Sequence, residues 1–128
     1  MDSIRLTVPA TSAAVRITRA GAAGLATRAG FTYREVEQLR LAVGEAAALL
    51  APEPEGDGTL AVGYDVGPDR LRIDLRLTGA PGPGRPMAVP EVAAAVLDAS
   101  VDEWALLDEG RRIVLVKRLS EIDDGDEF

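Results

Sequence analysis

Thr32-Tyr-Arg-Glu-Val-Glu-Gln-Leu-Arg-Leu-Ala-Val-Gly-Glu-Ala-Ala-Ala-Leu-Leu50 is the stretch from which the fold can be read. It opens as a capping box: Thr32 can accept from an amide of the first turn, and Glu35, three residues on, can reach back to the Thr32 amide. Val36, Leu39, Val43, Ala46, Ala47 and Leu50 then recur at spacings of three and four. That period makes one apolar stripe on a helix, which must be buried against something. Glu45 lies off the stripe, and Leu49 follows it one turn later on the same face.

Working outward, residues 3–8 alternate Ile4, Leu6 and Val8 with polar neighbours and predict a strand that Pro9 ends. Thr11 or Ser12 caps a helix reaching about Ala29, closed by Gly30. Its expected buried face is Val15, Thr18, Ala22, Leu25, Ala26 and Ala29. Gly21 and Gly24 each cost about 1 kcal/mol against Ala inside a helix. Either another backbone comes close to them, in the core or across a dimer, or the helix simply tolerates them.

Beyond Leu50, residues 51–58 form a Pro/Gly-rich loop. Residues 59–66 and 70–77 alternate around Gly67-Pro-Asp69 and predict a hairpin. In its second strand Leu71, Ile73, Leu75 and Leu77 point one way; Arg70, Arg72, Asp74 and Arg76 face solvent or a partner. Residues 78–90 hold four of the eight prolines and read as a loop. A short helix over 90–100 is expected to turn Val92, Ala95, Val96 and Ala99 inward. Residues 103–107 and 112–119 make a last hairpin, with Ile113, Leu115 and Lys117 opposite Val114, Val116 and Arg118. So apolar a run suits a central strand covered on both faces. Trp104, the only tryptophan, is expected in the core. The order strand, helix, helix, hairpin, helix, hairpin gives an α/β two-layer sandwich, a mixed, mostly antiparallel sheet with helices on one face. The domain is expected over 1–119, with 120–128 as an acidic, disordered tail carrying five acids in nine residues.

Composition narrows the function classes. A chain of 128 residues makes one domain. Fourteen basic against 21 acidic residues leave a net charge of −7, which disfavours a direct nucleic-acid partner. There is no Cys, so neither a disulfide framework nor a thiolate metal site is available. No basic leader followed by an apolar run opens the chain, and no segment approaches a membrane span, which makes the cytoplasm the expected compartment.

The run Leu39-Arg-Leu-Ala-Val-Gly-Glu45 resembles the first nucleotide-site helix of the bacterial anti-sigma-factor serine kinases, members of the histidine-kinase-like ATPase superfamily. The resemblance takes in the opening strand and the closing Val114-Leu-Val-Lys-Arg-Leu119. It implies the fold already reached from periodicity. It further implies a Glu-x-x-x-Asn pair in which Glu acts as general base and Asn holds magnesium. Glu45 matches the first; the second position is Leu49, which has no lone pair for a hard cation, and the chain contains no Asn at all. The family's Asp-x-Gly-x-Gly, which meets adenine, corresponds to Ala80-Pro-Gly82-Pro-Gly84, where Ala80 cannot accept a hydrogen bond. The family's lid and its glycine pair at a helix start find no counterpart in Arg85-Pro-Met-Ala-Val-Pro90.

The resemblance therefore implies a regulatory protein that binds a sigma factor, an anti-anti-sigma protein or both, without cofactor and in homodimeric form. Glu45 would be a vestigial base, and Leu49, Ala80, Gly82 and Gly84 would be remnants of the nucleotide site. The alternative is an active serine protein kinase using ATP and magnesium. No residue set for a protein-held metal is expected.

Overall fold

The structure is a computed structural model and describes residues 2–51, 58–79 and 89–120. The chain runs β1 (Asp2–Pro9), α1 (Ser12–Ala29), α2 (Tyr33–Leu50), β2 (Thr59–Val66), β3 (Arg70–Thr78), α3 (Glu91–Ser100), β4 (Glu103–Leu107) and β5 (Arg112–Arg118). The five strands form one sheet in the order β1-β2-β3-β5-β4. The α/β sandwich expected from the sequence is the observed one, with one refinement. Every strand pair among the described residues is antiparallel, so no part of this sheet is mixed. The reason is connective: both hairpins join neighbours directly, and β1 returns to β2 through two helices, a connection that leaves those strands antiparallel.

Alternation divides the sheet into two unlike faces. Leu60, Val62 and Tyr64 on β2, Leu71, Ile73, Leu75 and Leu77 on β3, and Ile113 and Leu115 on β5 are buried beneath the helices. The α2 stripe closes on them, with Val36, Leu39, Val43, Ala46, Ala47 and Leu50 all buried and Ala42 added to the set. With so few aromatic side chains, aliphatic packing carries this core. β5 is an interior strand between β3 and the edge strand β4, and it is buried from Ile113 to Lys117. Only one of its faces meets a helix layer, which corrects the expected double covering. Val114 and Val116 lie on the other face, in register with Asp74 and Arg72 of β3 and with Ala105 and Glu103 of β4. Long arginine stems beside a β-branched side chain shield it without a second layer.

Three local expectations need correction. In α3 the buried side chains are Ala93, Leu97 and Ser100, whereas Val92 is 78% exposed and Ala95 and Ala99 face outward. The helix is apolar almost all round, so period alone could not phase it. Trp104 is only partly buried: it packs at the edge of the core and its indole N–H donates to Asp98 Oδ1 at 2.7 Å. In α1, Ala14 and Ala23 join Thr18, Ala22 and Ala26 in the interior, and Val15, Leu25 and Ala29 sit at its margin. Gly30 closes α1 in the left-handed conformation, φ 100°, as expected of a glycine at that place.

Lys117 is on the helix side, 9% exposed. Its ammonium donates to Gln38 Oε1 of α2 at 2.7 Å and to the Ser100 carbonyl of α3 at 2.9 Å. One cation thus ties β5 to α2 and caps the C-terminal end of α3. Among the described residues no helix is long and apolar enough to cross a membrane.

Candidate functional site

The site is built on α2, and its first turn is fixed by local chemistry. The Glu35 amide donates to Thr32 Oγ1 at 3.1 Å, and the Thr32 amide donates to Glu35 Oε1 at 2.8 Å. Slight burial would raise the Glu35 carboxyl, but hydrogen bonds from Thr32 and Ser120 outweigh it and hold the group below the usual carboxylate range. Ser120 lies just past β5, so the cap also fastens the end of the sheet to the start of α2.

Two and a half turns on, Glu45 is half-buried. It makes no hydrogen bond or ion pair to a described residue. Beside it, Gly44 admits the side chain of Arg19 from α1: a Cβ at Gly44 would stand 3.1 Å from Arg19 Cδ. The Arg19 stem therefore lies against the α2 backbone, and its Nε is buried without a hydrogen-bond partner among the described residues. This crossing was not foreseen. Its signal was Gly44 itself, which costs about 1 kcal/mol in mid-helix unless a close approach requires it.

Leu49 follows Glu45 by one turn, as the spacing required, and is half-buried with its side chain against the hydrophobic core. An aliphatic side chain there contributes packing and offers no oxygen to a cation. Ala80, Gly82 and Gly84 lie outside the described residues. The strand leading to them ends at Thr78, and Gly79 follows with a φ of +78° that only glycine adopts easily. The chain resumes at Val89, which packs on the core ahead of α3. Three depressions among the described residues open elsewhere, on the sheet and at the two edges, and none of the three is lined by Glu45 or Leu49.

The helix-free face of the sheet holds a charged network. Arg112 binds Asp74 in a fork, Nε to Oδ1 at 3.0 Å and Nη2 to Oδ2 at 2.7 Å. Partial burial would raise the Asp74 carboxyl. The Arg112 hydrogen bonds, with the charges of Arg112, Arg72 and Arg76, more than offset this and hold it below its ordinary value.

No family model matches the chain. Whole-protein relatives do. It is 29% identical over 140 residues to the serine-protein kinase RsbW of Listeria innocua, covering 94% of this chain and 89% of that protein. The serine-protein kinase RsbW of Bacillus subtilis is 37% identical over 75 residues, 56% of this chain and 47% of the relative. Among solved structures, the crystal structure of the RsbU and RsbW domains of Rv1364c from Mycobacterium tuberculosis superimposes with a TM-score of 0.72 at 20% identity, over 94% of this chain and 33% of that one. The chain thus spans a third of that larger protein, and the likeness is one of fold. Sequence similarity along nearly the whole length, joined to this architecture and to Glu45 on a capped α2, makes the chain similar to the serine-protein kinases RsbW.

Proposed function

We propose that this protein is an anti-sigma-type regulator that works by binding protein partners, a sigma factor and an anti-anti-sigma protein, and not by nucleotide chemistry. The similarity to RsbW serine-protein kinases supports the partner classes. The observation that carries the loss of chemistry is Leu49. One turn from Glu45, at the place where the family's metal-holding carboxamide belongs, the side chain is aliphatic and is engaged in the core. Magnesium takes oxygen ligands in near-octahedral geometry, and a leucine cannot be one of them. At the adenine position Ala80 has no acceptor to offer. The residues present do not fit a magnesium–ATP complex. Partner exchange is then governed by competition between proteins. A cytoplasmic, homodimeric molecule is part of the same proposal.

A second reading keeps catalysis, and Glu45 favours it: a half-buried carboxylate with no described partner is free to orient a serine hydroxyl. The experiment separating the two mixes the purified chain with sigma factors and anti-anti-sigma proteins from its own host. Complex formation is followed by calorimetry, with and without ATP and magnesium. The proposal expects the same affinity in both conditions and no phosphate on the partner's serine. Binding that requires ATP, or phosphoserine in the partner, supports the kinase instead.

A further inference from the structure

On the helix-free face, the middle of β2 is nearly bare. Ala61 and Gly63 point outward between Thr7 and Arg5 of β1 on one side and Arg76 and Asp74 of β3 on the other, as the register sets them. A Cβ at Gly63 would meet nothing within 4 Å. Two small residues in line therefore leave a trough of about 230 Å³ along β2, walled by arginines on both flanking strands.

The charge in that trough is not balanced. Asp74 is held by Arg112 and approached by Arg72 at 3.7 Å, and Asp65 has Arg72 at 3.8 Å. Both acids are thus answered at close range by Arg72 and Arg112, and Arg76 adds only its charge to Asp74 from farther off. Arg5 and Arg76 are exposed, and neither has a hydrogen bond or ion pair with a described residue. They bracket the small-residue floor from opposite sides, leaving two guanidinium groups to meet whatever lies there. A guanidinium presents a planar fork of donors suited to a carboxylate.

We propose that this trough is a docking groove for an acidic, extended segment of a protein partner, with carboxylates seated between Arg5 and Arg76. The inference does not rest on the functional reading above. Charge complementarity selects the occupant. Nucleic acid is disfavoured because the groove has no aromatic side chain to stack a base and carries Asp65 and Asp74 at its rim. A peptide carboxylate needs neither stacking nor a uniformly positive track, and the hydroxyls of Ser3 and Thr7 along the β1 wall can serve its backbone.

The test uses the full chain and fluorescein-labelled hexaglutamate, followed by anisotropy at low ionic strength. Saturable binding is expected, weakened roughly fivefold by Arg5→Ala and by Arg76→Ala, and removed by R5E/R76E. Arg70→Ala, further along the same face, should leave it within about twofold. Circular dichroism of the variants should match the parent, since both side chains are exposed. Equal binding by the parent and R5E/R76E overturns the proposal. So does a gain in affinity on deleting residues 121–128, which would give the groove to the chain's own acids. A dimer that R5E/R76E dissociates would assign the face to a second copy, and tighter binding of an oligouridylate would assign it to RNA; either outcome also overturns it.

Discussion

The hydroxyl of Tyr64 on β2 donates a 2.9 Å hydrogen bond to the backbone carbonyl of Thr18 on α1, and it does so past Gly21. A Cβ at Gly21 would stand 2.8 Å from that oxygen. Tyr64 is among the largest fully buried side chains, and burial pushes its phenol up to about 12. The ring therefore stays neutral and fixed through the ordinary pH range, and helix and sheet approach each other only because residue 21 has no side chain.

Gly21 and Gly24 should consequently answer alanine with opposite signs. At Gly24 nothing lies within 4 Å of the new methyl, so helix propensity alone acts and Gly24→Ala should stabilise by up to about 1 kcal/mol. At Gly21 the clash with a buried ring outweighs that gain, and Gly21→Ala should destabilise by roughly 1–3 kcal/mol. Denaturant unfolding of the two variants, with Tyr64→Phe added to Gly21→Ala as a partial rescue, checks the argument.

Lys117 should prove structural. Replacing it by Met removes hydrogen bonds to Gln38 and to the Ser100 carbonyl in a buried place. The expected loss is about 1–3 kcal/mol. Hydrogen exchange should locate the loosening at the C-terminal end of α3, where that carbonyl loses its donor.

The Asp74–Arg112 fork predicts an acid-side dependence. The folded Asp74 carboxyl is held below its ordinary 3.8, so its contribution is complete above that value and is lost as pH falls through the folded pKa. Asp74→Asn should therefore lower the Tm at neutral pH, and the gap to the parent should close below about pH 4. Arg72 and Arg76 share the face with Asp74, and protonation of Asp74 is the event that closes the gap. A pH series of thermal melts on both proteins measures it.

Much of this fold was legible because α2 states itself twice, once by the Thr32–Glu35 box and once by a stripe whose period fits a single buried face. β3 was equally clear, since Leu71 to Leu77 alternate with charged residues along its whole length. α3 was not, because Val92 to Leu97 are uniformly apolar and carry no polar marker of phase. Long-range pairing was also hidden: nothing near Asp74 in the chain announces Arg112, 38 residues on. At the site, Glu45 and Leu49 could be placed on one face from spacing alone. That Leu49 packs against the core, and that Gly44 makes room for Arg19, required tertiary structure.

If Leu49 serves packing, a carboxamide put in its place should not bring nucleotide chemistry with it. Leu49→Asn places a carboxamide against the hydrophobic core and should cost about 1–3 kcal/mol. It should confer no magnesium-dependent ATP binding, because an alanine at position 80 has no side-chain acceptor to offer adenine. Thermal melts with and without the nucleotide report both outcomes.

The central proposal is that this chain, though similar to serine-protein kinases, does not bind magnesium–ATP. Isothermal titration of the full chain with a non-hydrolysable ATP analogue and magnesium tests it most directly. The account predicts no saturable heat up to roughly millimolar ligand, where even weak specific binding would register. A one-to-one isotherm with micromolar affinity, abolished by removing magnesium, would contradict it.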